Sequence, residues 1–299
     1  MTRYGFLLSA CLLACGPSPA EAPSGGEGQS DSVAEPKLDA PEDGTSSSSN
    51  GNDGCTEVVE GDLEVNDASD LDWLRAVREV HGVLTITELS GHAHLEFLGC
   101  LESVQGLWIK DTTNLRSLAG LGRLKTLERG LSVSGNASLE TLRGLDSLES
   151  IGGGGVSVLD NPELSRLELE SPRDIGYFRL GSYECDGYGP DAAALPRGDN
   201  PKLSRLDGFE KVEKVSGFVV EGQSAFSSTE TIVDVLSRRE PSPDGGLPDI
   251  RFHLNPVLGQ DELDAVFRTL GLEDEFEPTP GVVCENQDDD NKCPCKGGE

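Results

Sequence analysis

The chain has 299 residues, with 54 acidic against 24 basic side chains and a formal net charge of −30 at pH 7. That balance works against nucleic acid and anionic membrane surfaces as partners, because both select basic patches. It suits a soluble body that repels its crowded neighbours, or one that meets cations or basic ligands.

In chain order, the first element is a short apolar run, Phe6 to Ala14, behind a start that carries Arg3. It is too short to span a bilayer as a helix. Residues 1–14 therefore read as an export signal rather than as fold. The run ends Leu12-Leu13-Ala14-Cys15. This resembles the bacterial lipobox, which implies lipid on Cys15 and a membrane partner reached through that lipid. Gly16 follows where an inner-membrane lipoprotein would carry aspartate, so the resemblance implies the outer membrane or cell surface. Residues 15–54 are rich in Pro, Gly, Ser, Glu and Asp, without apolar periodicity. Such a segment buries too little to offset its ordering entropy and reads as a disordered tether.

Residues 55–272 carry an internal repeat, the feature that decides the fold. Leu107, Ile109, Leu115, Leu118, Leu121, Leu124 and Leu127 recur 24 residues later as Leu131, Val133, Leu139, Leu142, Leu145, Leu148 and Ile151. The template also fits from Leu63, Leu84 and Val156. It resumes at Leu203 after an interruption at 182–199, and a last copy starts at Ile250. Each copy opens with period-two alternation, the mark of a strand. Apolar residues then recur every three, which suits a tight arc. One strand and one arc per 23–24 residues make one coil of a solenoid. About eight coils are expected, with a body ~40 Å long. The fold class is thus mainly β, a parallel β-helix.

A second register agrees with the first. Asn136, Asn161, Asn200 and Asn255 each stand three residues before the same repeat leucine. Asparagine side chains bond local backbone at turns, so the four are expected as stacked structural turns. Two short helices are expected near the C-terminal end, over Ser227–Arg239 and Asp261–Leu270. Residues 273–299 form a Cys- and Asp-rich tail.

The "Gly-x-Leu-x-Ile" openings at a period of 24 resemble the receptor L domain, a β-helix related to leucine-rich repeats. The resemblance implies a right-handed parallel coil that serves binding or scaffolding. Cys55 stands where that module has its first cysteine, but Glu79-Val80-His81 stands where the partner would be. An ordinary leucine-rich-repeat horseshoe is the alternative fold. After Cys11 and Cys15, six cysteines remain, and six allow 15 pairings.

For function, the strands present outward rows. One is Glu64, Thr85, Trp108, Ser132, Ser157, Arg179, Val219 and Arg251. The other is Lys110, Ser134, Leu159, Glu221 and His253. Trp108, Lys110, Arg179, Arg251 and His253 are the candidate partner-binding face, since aromatics and arginine dominate binding hot spots. A protein or glycan is the expected ligand; a passive envelope spacer is the alternative.

Other motifs weigh less. His92 and His94 lack a third metal ligand. Arg197-Gly198-Asp199 abuts a repeat turn and reads as coincidence. Asp288 to Asp290 offers calcium only a poor ligand spacing, so neither a metal nor another cofactor is expected. No catalytic motif appears, and an enzyme is not expected.

Overall fold

A computed structural model describes residues 54–185, 194–237, 249–269 and 283–284. By contacts the chain divides into residues 1–49 and 50–299, and every described residue belongs to the second unit. In order, the elements begin with β1 (Glu57–Glu60), β2 (Leu63–Val65), α1 (Leu71–Leu74), β3 (Val77–Thr87) and β4 (Ser103–Lys110). Next come β5 (Thr126–Ser134), β6 (Ser150–Ile151), β7 (Val156–Leu159) and β8 (Asp174–Leu180). The rest are β9 (Ser182–Cys185), β10 (Ala194–Arg197), β11 (Lys214–Glu221), α2 (Glu230–Ser237), β12 (Asp249–His253), α3 (Gln260–Thr269) and β13 (Val283–Cys284).

All but two strands join one sheet, in the order β1-β3-β4-β5-β6-β8-β11-β12-β13, with β2 beside β3 and β7 between β5 and β8. Every pairing in it is parallel. Sequence-adjacent coils are sheet neighbours, so the chain winds a parallel β-solenoid. Each complete rung has two short straight pieces joined at a corner. In β4 and β5 the pairing jumps from Val104↔Leu127 to Gly106↔Gly130. The corner is tight enough to demand glycine. A Cβ on Gly130, at φ 101°, would sit 2.6 Å from the Gly155 carbonyl oxygen.

The Leu template is the core. Leu107, Ile109, Leu115, Leu118, Leu121, Leu124 and their equivalents one coil on are buried in a single cluster. Toward the C-terminal end the filling turns aromatic. Phe178 stacks on Phe218 at 5.2 Å and meets Phe209 edge-on at 5.1 Å.

The solenoid makes about five turns, against the eight expected. The arc after β3, β4, β5, β7 and β8 carries the leucine spacing. After β2, β11 and β12 an α-helix closes the turn instead: α1, α2 and α3. Asp70 caps α1 by accepting from the Asp72 N–H at 3.0 Å. Ile232, Val235 and Leu236 of α2, and Leu263, Val266 and Phe267 of α3, face the core as expected. Both helices start within three residues of the expected positions.

The described ends of the interruption at 182–199 form a two-stranded sheet of their own. β9 and β10 pair antiparallel, with Ser182 opposite Arg197 at its base. Gly181 (φ 74°) and Gly198 (φ 67°) flank that base. A Cβ on Gly198 would lie 3.3 Å from the Gly181 Cα. The chain thus leaves and re-enters the coil at nearly one point, which is why the solenoid tolerates the insertion.

Cys55 and Cys100 form a disulfide, 45 residues apart in sequence with Cα atoms 5.3 Å apart. It joins the segment before β1 to the turn after Glu96–Leu98. Of the other cysteines, Cys185 lies on β9 and Cys284 on β13. Cys15, the tether, Asp288 to Asp290, Cys293 and Cys295 lie outside the described residues.

Candidate functional site

The first outward row is laid out by the strand register. Glu64 pairs with Thr85, Thr85 with Trp108, Trp108 with Ser132, and Ser132 with Ser157. Ser157 then pairs with Arg179, Arg179 with Val219, and Val219 with Arg251. The second row runs Thr87, Lys110, Ser134 and Leu159, with Glu221 beside His253 further along. Each row exists because alternate strand residues point to the side away from the core.

The five candidate residues form two groups. Trp108 and Lys110, two apart on β4, both stand out to solvent; the indole is 42% exposed. Their lateral neighbours are short hydroxylated residues: Thr85 and Ser132 beside Trp108, Thr87 and Ser134 beside Lys110. The indole therefore rises above its flanks.

Arg179, Arg251 and His253 lie at the other end. Three rung steps, ~14 Å in all, separate Arg179 from Trp108. This end is covered in part, for the Arg179 side chain is still 41% exposed. Val219, between the two arginines in the row, is 0% exposed, and Glu221 and His253 are each 1% exposed. His253 is thus outward in register but buried, a correction to its place on an open face. Arg251 is half-buried.

Three ionisable side chains meet at the buried corner. Arg179 Nη2 lies 3.2 Å from Glu221 Oε2, and His253 Nδ1 lies 3.3 Å from Glu221 Oε1. Burial pushes the Glu221 carboxyl up, but hydrogen bonding and charge from His253 and Arg179 outweigh it and hold it below the ordinary carboxylate range. Sequence spacing alone did not show Glu221 as the centre of this trio. The signal available was its outward register beside His253.

The four asparagines form a continuous internal ladder, all fully buried. Asn136 donates from Nδ2 to Asn161 Oδ1 at 2.9 Å, and Asn161 to Asn200 Oδ1 at 3.1 Å. Asn200 passes the chain to Gln223 Oε1 at 3.0 Å, and the Gln223 N–H donates to Asn255 Oδ1 at 3.1 Å. Thr112 closes the N-terminal end by donating from Oγ1 to Asn136 Oδ1 at 2.8 Å. Thr112 and Gln223 were missed by sequence reading, yet both stand five residues after a first strand core residue, Leu107 and Phe218, as Asn136 stands after Leu131. Just before the ladder, Asp111, Gly135, Asp160, Gly222 and Leu254 all have φ between 53° and 67°. That left-handed residue turns each strand into its corner.

The lesser motifs have structural partners. His94 Nδ1 lies 2.8 Å from Ser117 Oγ, and His92 meets Phe97 edge-on. Asp199 accepts from the N–H and hydroxyl of Ser224 at 3.0 and 2.6 Å, which ties that motif to the next coil. Among the described residues no His, Cys, Asp and Glu cluster could hold a metal ion. Among them, too, no helix is long and apolar enough to cross a membrane.

No family model, curated protein or solved structure matches the chain.

Proposed function

We propose that the chain is an exported, lipid-anchored envelope protein whose solenoid presents the β4 face to a protein or glycan, without catalysis of its own. One observation carries the binding reading: Trp108 is 42% exposed in a regular sheet row whose other members nearby are small and hydroxylated. Exposing an indole forfeits hydrophobic stabilisation, and large exposed aromatics concentrate at binding sites.

The anchor rests on Leu12-Leu13-Ala14-Cys15 and the Pro/Ser-rich stretch after it. The outer membrane or cell surface is the proposed location. The right hand of the coil and kinship with the receptor L domain belong to the same proposal. They are supported by the glycines that open successive strands ahead of the first core residue (Gly106, Gly130, Gly155 and Gly217) and by the right-handedness of about 98% of parallel crossovers.

Pull-down from envelope extracts tests the face. Wild type should capture a partner that Trp108→Ala and Lys110→Ala lose. Arg179→Ala is a poorer probe, because it also strips a partner from buried Glu221. Capture indifferent to both β4 changes would leave the passive spacer, which the charge of −30 fits.

A further inference from the structure

We infer that the Trp108 face takes a neutral, ribbon-like polysaccharide, one with β-1,4-linked pyranose units, rather than a protein. This rests on the binding reading above and names its ligand class.

Apolar area is the first argument. Among the described residues four large hydrophobics stand exposed: Val58, Trp73, Trp108 and Val257. Val58 lies on β1, Trp73 on α1 and Val257 beyond β12, so Trp108 alone lies on this part of the sheet. A stable protein interface buries about 800 Å² per partner around an apolar core. One indole among serines and threonines does not supply that core. A sugar asks for less: one aromatic plane against the C–H face of a pyranose, with hydroxyl and ammonium groups around it to bond the ring hydroxyls.

Those polar groups are in place. Thr85 and Ser132 flank the indole on the adjoining rungs, and Ser157 continues the row. Lys110 projects two residues along β4, ~7 Å away. The row offers one side chain per rung at ~4.8 Å, on a sheet whose strands all run parallel. An extended β-1,4 chain is itself a flat ribbon with C–H faces, so it can lie across the rungs. A coiled α-1,4 chain cannot keep that contact.

Charge is the second argument. A body of net charge −30 repels polyanionic polymers, and exposed Lys110 beside the indole works against polycationic ones, which leaves neutral ones favoured. Nothing in the row other than Glu64 at its edge carries negative charge between β2 and β7.

Calorimetric titration of the full chain tests this with three probes: cellohexaose, chitohexaose and maltohexaose. Saturable binding of cellohexaose or chitohexaose is expected. Trp108→Ala should weaken it about tenfold or more, and Trp108→Tyr should keep most of it. Binding of maltohexaose alone, or of none of the three, overturns the inference. Equal binding by Trp108→Ala overturns it as well, since the sugar then sits elsewhere. If no sugar binds but Trp108-dependent capture of an envelope protein persists, the ligand class fails and the binding reading stands. If both are absent, both fail.

Discussion

Asn136 Nδ2 donates to Asn161 Oδ1 in the next coil at 2.9 Å, and the same Oδ1 accepts the Asn136 N–H at 3.2 Å. One buried carbonyl thus satisfies the backbone and the side chain of the coil before it. The unit repeats from Thr112 to Gln223, whose N–H alone carries the last step to Asn255, and so binds the coils along the solenoid axis.

Asn161→Ala removes an acceptor for two Asn136 donors and a donor to Asn200 and to the Val133 carbonyl at 3.2 Å. Each orphaned buried group costs about 1–3 kcal/mol. A loss of about 3 kcal/mol is expected, read as a lower urea midpoint with an unchanged slope. Thr112→Val, at the ladder's end, should cost about 1 kcal/mol in the same assay.

Gly155 and Gly153 stand two residues apart and differ sharply. A Cβ on Gly155, at φ 63°, would sit 1.9 Å from the Tyr177 carbonyl oxygen, whereas around Gly153 the space is open. Gly155→Ala should destabilise by about 3 kcal/mol or more, and Gly153→Ala by less than about 0.5 kcal/mol. Thermal melts of the two variants make the comparison.

Glu221 has its folded pKa held below the ordinary 4.5. Its contribution is therefore present above that unfolded value and is lost as pH falls below it through the folded pKa. Stability of the wild type should drop with acid in that window. Glu221→Gln should be less stable at neutral pH and show a flatter acid limb by denaturant titration. A limb of unchanged steepness would show that other carboxylates set it.

The Cys55–Cys100 bond closes a 45-residue separation, worth about 4 kcal/mol on chain-entropy grounds. Cys100→Ser should destabilise by that order. Amide exchange should quicken first in β1 and β2, the rung that the bond ties down.

The repeat was legible because solenoid cores need the same residue at the same angle in every coil. Leu107 and Leu131, 24 apart, are each a read-out of one geometric position. The ladder was legible where it is asparagine. Gln223 and Thr112 fill the same position with other side chains, so a search by residue type passes over them, whereas the five-residue offset finds them. The burial of Val219, Glu221 and His253 was not legible. Strand alternation says which way a side chain points, not whether another part of the chain lies over it. After β2, β11 and β12 the helices α1, α2 and α3 stand where the leucine template expects an arc, because the same apolar spacing serves either. The disulfide was open for a related reason: pairing depends on which arc brings Cys100 to the segment before β1.

On the proposed reading, the β4 face meets a ligand in the envelope. A photo-crosslinking residue at Ser132, beside the indole, tests it against the same residue at exposed Asp146 on the arc side. Position 132 is expected to give an adduct with protein or glycan that Trp108→Ala abolishes, and position 146 none. Equal adducts from both positions, or none from 132, would contradict it.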